Sequence, residues 1–475
     1  MKRVIPYVIV LLLLVVIGLS YNEFGDEDKN IQVLVPERVI FITIDTLRAD
    51  HLESYGYIRN TAPFIESLVD QGVLFQNAFT ACSHTAPSHA SMFTSLFPYQ
   101  HGVLENGLKL SGQIWTMQSL FRDMGYKTAA FSAVRFLNGL VGFDRLDERY
   151  NWPMTKTTTG KFWYRPARQN LKRVLAWLED HPDSKKFLLW LHFFDVHQWQ
   201  SYARTPTEFL QKMESFDGEV LWQFITDKHR ISPEYYNSKQ KLLKSIHSYD
   251  ARINYVDDQI KLLYEYMTSV GLNDSTLWII TSDHGEGLGN HNYDGHGRYL
   301  YNEQLRIPLI FHYPAHQFPA KVVPELVRTI DLLPTLADMM DVDVSQNSQG
   351  EGVSLMPLLT DTPENFEKIK YAFAQRRPKD SKLFHSSWED GEVYSLQNLK
   401  HKFIHCSEAQ DEFFEFETDP FELNNLIESN TDQQNTLQKL LLQILKSPPR
   451  EHSNEEMKLD EETLQELDAL GYVGE

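Results

Sequence analysis

Short apolar runs with no polar alternation limit this chain's fold more than any other feature. VIFITI (39–44), TAAFSA (128–133), FLLWLHFF (187–194), TLWIIT (276–281) and IPLIFHY (307–313) are all of strand length. A strand that is apolar at consecutive positions has both faces covered, the condition of a parallel sheet with helices on either side. The intervening segments carry signals for those helices. Thr61 and Pro63 open PFIESLVDQG, which stops at Gly72, so the start and stop residues agree. Further helices are expected over 114–124, 168–180, 250–270 and 329–340. The alternation predicts an α/β fold with a large, mostly parallel sheet flanked by helices.

After residue 365 the pattern changes. YAFAQ, EVYSL, HKFIHC and FFEFET are short runs separated by polar turns, as in antiparallel strands, and a helix near 433–446 follows. The expected organisation is a terminal segment 1–20, a linker 21–36, a catalytic α/β domain 37–364 and a C-terminal α+β subdomain and tail 365–475. The tail should close on a last helix near 466–474. Within the large domain, 200–248 is a polar and aromatic insertion that either shapes a substrate pocket or is a surface excursion.

The amino terminus gives an expectation about place. Lys2 and Arg3 precede an apolar run over 4–19, and a polar, acidic stretch over 21–30 follows. That is the order of a signal peptide or a signal anchor. The run falls slightly short of the ~20 residues of a full span, but a small-x-small cleavage site is poorly formed around Gly18–Ser20. An uncleaved single-pass membrane anchor is favoured, with the basic tip cytoplasmic and the body extracytoplasmic, periplasmic or extracellular. Cleavage would make the protein secreted. A net charge of −20 repels nucleic acid, so no nucleic-acid partner is expected, and an anionic substrate must be captured by a local site. Cys82 and Cys406 are too few for a disulfide framework; they either pair or stay separate thiols.

Chemistry concentrates at two strand ends. Asp45 ends VIFITI, and TLWIIT ends in Ser282-Asp283-His284-Gly285-Glu286. Ligands gather at the carboxyl ends of parallel strands, so Asp45, Asp283 and His284 are candidate ligands of one divalent cation. The imidazole favours Mn²⁺ or Zn²⁺ over Ca²⁺ or Mg²⁺, which stay open. Taken alone, Asp45 could equally be a helix cap. Between these segments lies Cys82-Ser83-His84-Thr85-Ala86-Pro87-Ser88-His89. Pro87 suits a first helical turn, which places Thr85 near a helix amino end, where N–H groups and the dipole favour an alkoxide or a bound anion. Thr85 is either a plain cap or a nucleophile that metal coordination activates.

AFTACSHTAPSHASMFTSLFPYQHGV (78–103) resembles the signature of the sulfatase family within the alkaline phosphatase superfamily. That motif is Cys or Ser, x, Pro, Ser, Arg, followed by Thr-Gly and Pro. Thr85 takes the nucleophile position, Pro87 and Ser88 match, and Thr94 and Pro98 keep the spacing. IDTLRADHLESYGY (44–57), SDHGEGLGNHNYDGHGRYLYNEQLRIPLI (282–310), TIDLLPTLADMM (329–340), GVSLMPLL (352–359) and FETDPFELNNL (416–426) resemble further family segments in order. The resemblance implies an α/β fold with a small C-terminal sheet. It implies Asp45, Asp283 and His284 as metal ligands, and Thr85 as nucleophile and additional ligand. LHFFDVHQ (191–198) makes His197 a candidate contact to the transferring or leaving group. His296, in Gly-His-Gly, is a candidate anion binder or proton donor.

The departures matter as much. Thr85 is neither Cys nor Ser, so no formylglycine is expected. The family's arginine is His89, which joins the catalytic candidates; the second acid of the usual pair is Thr46, and the usual lysine falls at Ala133. An unmodified threonine with a metal and two histidines resembles the branch that transfers phosphoryl groups through a phosphothreonine. The favoured expectation is an ester hydrolase acting on phosphomonoesters or phosphodiesters, with an anionic ester as its partner. The alternatives are a sulfuric-ester hydrolase on sulfated glycans, a phospho-group transferase to envelope glycans, and an inactive sulfatase-shaped binding protein. A second cation could use Asp195, His197 and His296, the kind of cluster two-metal phosphotransferases need.

Overall fold

A computed structural model describes residues 35–137, 148–149, 164–202, 205–228, 231, 235–314, 318–344, 350–360, 362–376, 390–446 and 467. The apolar run 4–19 and, apart from Leu467, the expected last helix lie outside these residues. All described residues belong to one compact unit that begins at Val35. No helix among them is long and apolar enough to cross a membrane.

The central sheet has nine strands. They are β1 (Arg38–Ile44), β2 (Val73–Phe79), β3 (Lys127–Phe131), β4 (Glu148–Arg149), β5 (Phe187–Phe193) and β6 (Thr276–Thr281), and, past a ribbon of β7 (Gly287–Leu288) and β8 (Asp294–Gly295), β9 (Arg306–Ile307), β10 (Leu309–His312) and β11 (Lys321–Arg328). Their order is β11-β2-β10-β6-β1-β5-β3-β4, with β9 on β2. Strands β6, β1, β5, β3 and β4 run parallel. All residues of β1, β5 and β6 are buried, which is why their sequences do not alternate.

One face of the sheet (Ile40, Ile42, Leu189, Leu191, Trp278, Ile280) packs on Val256, Ile260 and Leu263 of a 31-residue helix, Lys239–Ser269, and on Val174 and Trp177 of the helix Ala167–Asp180. On the other face Phe41 meets Phe93 edge to face at 5.9 Å. Phe93 belongs to the helix Thr85–Thr94, all ten residues of which are buried.

Several elements differ from expectation. The run 307–313 splits into β9 and β10, and β10 lies antiparallel to both neighbours. β2 and β11 were not foreseen: Gln76 is exposed in β2, and Pro324 and a register shift interrupt β11. The long helix starts at Lys239 and not near 250, and segment 200–248 carries further helices at Thr207–Glu214 and Gly218–Lys228. Cys82 and Cys406 are separate thiols.

A smaller antiparallel sheet follows, β12 (Ala372–Gln375), β13 (Val393–Gln397), β14 (His401–Cys406) and β15 (Glu412–Glu415). The helix Asp432–Leu445 covers it through Leu437 and Leu441, which pack on Phe373, Leu396, Phe403 and Phe413. Buried charges join this sheet to the loop that follows β6. Lys402 Nζ lies 2.6 Å from Glu422 Oε1 and 2.9 Å from Asn302 Oδ1. His291 reaches Glu303 Oε1 at 2.8 Å through Nδ1 and the Glu422 carbonyl at 3.0 Å through Nε2. Both ring nitrogens face acceptors, so both carry protons. Burial works against that charge, but the Glu303 and Glu422 carboxylates outweigh it and push the His291 pKa up to about 9.

Candidate active site

The site lies where β1, β5 and β6 end side by side. Asp45 follows β1, His192 is the penultimate residue of β5, and Asp283 stands two residues beyond β6; all are fully buried. The turn after β1 is held from two sides. Thr46 sits at φ 61, a left-handed conformation that is costly for a β-branched residue. Tyr249 of the long helix fixes it by donating to the Thr46 carbonyl at 2.7 Å and accepting from Arg48 N–H at 2.9 Å. From β6, the Ser282 hydroxyl accepts from Leu47 N–H at 3.0 Å, and Asp283 Oδ1 accepts from Thr46 N–H at 3.3 Å. After His284 the backbone passes so close to the Glu303 carbonyl that a Cβ at Gly285 would collide with it.

Thr85 is the first residue of its helix, and its Oγ1 lies 3.3 Å from His284 Nε2. Ala86 N–H is taken by Asn106 Oδ1 at 2.8 Å, and Pro87 has no N–H to satisfy. Asn106 is itself fully buried, and its Nδ2 has no hydrogen-bond acceptor among the described residues.

Ligand atoms of Asp45, Asp283 and His284 lie within 4.8 Å of one another. Two features fit a cation there. Asp45 Oδ1 and Asp283 Oδ2 are buried with no hydrogen-bond partner among the described residues, a costly state for a carboxylate unless a cation accompanies it. His284 Nδ1 faces the Gly285 carbonyl at 2.8 Å, so it carries the proton and Nε2 presents its lone pair to Thr85 and Asp283. Burial and the Asp283 charge raise the Asp45 carboxyl well above its ordinary range. For Asp283, burial is outweighed by His284, His89 and His192, which hold it below that range. A second trio, His89, His192 and Asp283, is equally close. There, however, His89 Nδ1 donates to the Thr85 carbonyl at 2.8 Å and is not available to a metal.

His89 thereby holds the backbone of Thr85, in the place where the family's arginine falls. Its Nε2 meets Thr43 Oγ1 at 3.1 Å, and Thr43 in turn accepts from Trp190 Nε1 at 3.0 Å. Burial drives its pKa down to about 4, so the ring is neutral. His192 hydrogen-bonds Asp45 Oδ2 at 3.2 Å through Nε2, and burial lowers its pKa to about 4 as well.

His197 and His296 do come together, with ring centroids 4.9 Å apart, and His296 lies 4.4 Å from the His284 ring. Asp195 does not join them. Its Oδ2 accepts from Ala167 N–H at 2.8 Å, capping the helix Ala167–Asp180. Among the described residues, neither group close enough for a metal includes Asp195, His197 or His296. Of the residues expected for a second cation, Asp195 is engaged in a helix cap and His197 and His296 form a ring pair.

Sequence reasoning passed over His192, Asn106 and Glu286. His192 is hidden inside an apolar run, and Asn106 sits in a loop. Glu286 stands inside the second metal motif but has no metal-ligand spacing of its own.

The family profile described as Sulfatase matches residues 37–342, and the one described as N-sulphoglucosamine sulphohydrolase, C-terminal, matches residues 289–448. The Delta 4,5-hexuronate-2-O-sulfatase of Bacteroides thetaiotaomicron is 24% identical over 427 residues, which cover 80% of this chain and 83% of that protein. Arylsulfatase K of Rattus norvegicus is 23% identical over 444 residues, covering 84% and 76%. Among solved structures, the phosphonate monoester hydrolase of Agrobacterium radiobacter superposes with a TM-score of 0.66 at 18% identity, over 86% of this chain and 95% of the other. That likeness bears on the fold.

Proposed function

The chain belongs to the sulfatase family and is an ester hydrolase of that family, and from that premise we propose that it cleaves phosphate mono- or diesters through Thr85 as a covalent nucleophile. The observation that carries this reading is the placement of Thr85 Oγ1, at a helix amino end and 3.3 Å from Nε2 of His284, a member of the Asp45–Asp283–His284 cluster. Threonine bears a methyl group on Cβ and cannot be oxidised to an aldehyde, so a formylglycine route is closed to this chain. Direct attack by an alkoxide, with hydrolysis of the resulting ester, suits phosphorus.

A divalent cation held by Asp45, Asp283, His284 and Thr85, with Mn²⁺ or Zn²⁺ favoured, would supply the charge that releases the Thr85 proton and polarises the ester. Thr85 Oγ1 forms its bond to the phosphorus as the bond to the leaving oxygen breaks. His296, its ring 4.4 Å from that of His284, or the neighbouring His197 gives that oxygen its proton. Asn106 Nδ2, beside Ala86 and lacking an acceptor, donates to a non-bridging oxygen of the ester. Water then attacks the phosphorus of the phosphothreonine, the bond from Thr85 Oγ1 to phosphorus breaks, and the same imidazole takes the proton of the water.

The test is a panel of aryl phosphates, phosphodiesters, phosphonates and sulfates with Mn²⁺ and Zn²⁺, run beside Thr85→Ala. A phosphothreonine at position 85, trapped and read by mass spectrometry, is the expected intermediate. Strong sulfatase turnover by unmodified Thr85 would sink the phosphoryl preference. Sulfuric-ester hydrolysis on sulfated glycans is the second reading, favoured by the sulfatases among the relatives. The apolar run 4–19 supports an extracytoplasmic catalytic body on a single membrane anchor. Protease protection in intact cells with a tagged carboxyl end tests that placement.

A further inference from the structure

Glu286 lies between β6 and β7, and its backbone is clamped on both sides. Its N–H donates to the Glu303 carbonyl at 3.0 Å, and its own carbonyl accepts from the buried Arg48 guanidinium at 3.1 Å. The preceding N–H, that of Gly285, donates to the Gln304 carbonyl at 2.8 Å. The side chain is 3% exposed, and its two oxygens go to different places. Oε1 lies 3.2 Å from His296 Nδ1, and Oε2 accepts from Trp199 Nε1 at 3.1 Å. Trp199 closes the short turn Val196–Gln198 that carries His197. One rigid carboxylate therefore ties together both segments that bear the candidate proton donors.

A carboxylate accepts only, so His296 Nδ1 must carry a proton. That fixes the ring's tautomer and leaves Nε2, at the opposite side of the imidazole, as the nitrogen that exchanges a proton with substrate. The His296 ring lies 4.4 Å from that of His284 and 4.9 Å from that of His197.

We propose that Glu286 is the positioning residue for leaving-group protonation: through His296 Nδ1 and Trp199 it fixes the orientation of His296 and its distance from the His197 turn. The proposal rests on the ester-hydrolase reading above, with His296 in the leaving-group role.

Esters of one acid with graded leaving groups separate this role from a merely structural one. A 4-nitrophenolate leaves with little help, whereas an alkoxide needs its proton. Glu286→Gln, which keeps the shape and an acceptor for one partner, is expected to lose about 10–100-fold in kcat on the alkyl ester, the range typical of such outer partners. On the 4-nitrophenyl ester the loss should stay within about threefold. KM and the metal content should hold. Trp199→Phe should move the same ratio in the same direction by less. Equal losses across all leaving groups with metal retained would overturn the proposal.

A crystal structure of Glu286→Gln or Glu286→Ala gives a readout that needs no turnover. The His296 ring should rotate or shift away from His197, and a ring that keeps its place would also overturn the proposal. If wild-type protein hydrolysed none of the panel, the functional reading would fall, while the hold of Glu286 on His296 would still be decided by those structures.

Discussion

Two parts of the molecule bury charge, and they do so in opposite ways. At the seam with the small sheet, each of these buried groups has a hydrogen-bonding partner: Lys402 with Glu422, His291 with Glu303 and the Glu422 carbonyl, and Glu412 with the Tyr301 hydroxyl. At the ends of β1, β5 and β6, two acids face each other, each with an oxygen that has no hydrogen-bond partner among the described residues. The first arrangement is complete as a piece of structure. The second is complete only with a cation, and the imbalance marks it as the place of work.

Substitutions at the two places should therefore fail differently. The largest effect is expected for Asp283→Asn. The amide keeps an acceptor for the N–H groups of Thr46 and His284 but removes the charge that a cation needs. We expect kcat/KM to fall by about 10⁴-fold or more, equivalent to ~5.5 kcal/mol. In chelator, the same variant should be only modestly less stable than wild type, by about 1–2 kcal/mol, because burial opposes the Asp283 charge while His284, His89 and His192 hold it below the ordinary carboxyl range. Urea unfolding with and without Mn²⁺ checks both halves: wild type should gain ~2.7 kcal/mol at a hundredfold excess over Kd, and the variant nothing. A variant far less stable than that in chelator would mean that the Asp283 charge is already balanced in full by its histidines.

Lys402→Met should show the reverse. It leaves Glu422 buried beside Glu303 and Glu412 with no ammonium, at a cost of roughly 3–5 kcal/mol in urea unfolding. Adding Glu422→Gln should restore part of the loss, which would show that the penalty is the stranded charge and not the lost packing. A single variant within about 1 kcal/mol of wild type would erase the contrast between the two places.

The same contrast separates what could be read in the sequence from what could not. β1, β5 and β6 were legible because strands covered on both faces cannot hide their apolar runs. Strand direction was not: nothing in IPLIFHY says that β10 runs against its neighbours, since direction is fixed by the connection and not by composition. β11 was lost to Pro324, and the first three turns of the long helix to a surface that is half-exposed over its first two. Asp45, Thr85, Asp283 and His284 were legible because they stand at strand and helix ends inside long motifs. His192 was not, because a histidine in FLLWLHFF reads as core. Asp195 was ambiguous for a physical reason: a carboxylate two residues beyond a strand serves a helix cap as readily as a metal, and here it accepts from Ala167 N–H. The seam could not be foreseen at all, because His291, Glu303, Lys402 and Glu422 come from segments that only the tertiary fold brings together.

A smaller effect should appear with pH. The His291 pKa stands at about 9 against an ordinary 6.5, raised because Glu303 and Glu422 outweigh its burial. A group with a raised folded-state pKa stabilises fully below its unfolded pKa, and that stability is lost as pH climbs through the folded one. The chain should thus lose roughly 3 kcal/mol between about pH 6.5 and 9.5, the equivalent of about 2.5 pKa units. His291→Gln should flatten the curve over that window while lowering stability at pH 6. An unchanged slope in the variant would place the pH dependence elsewhere.

The smallest effect bears on backbone strain, which both places contain. Thr46 (φ 61) and Glu422 (φ 57) are non-glycine residues in the left-handed region. For Thr46→Gly, release of a strain of ~1–2 kcal/mol is set against two losses. Glycine costs more backbone entropy, ~0.5–1 kcal/mol, and the Thr46 hydroxyl gives up its 2.7 Å bond to the Asp45 carbonyl, worth ~1 kcal/mol. These nearly cancel, so stability should move by less than about 1 kcal/mol. The turn should keep its shape, because Tyr249 and Asp283 hold its backbone and not its side chain. Glu422→Gly releases similar strain but also strands Lys402, and it should resemble the loss of the ion pair. A Thr46→Gly loss above ~2 kcal/mol would mean that the turn depends on its hydroxyl, and that strain at the site is held by the residue that bears it and not by the surrounding fold.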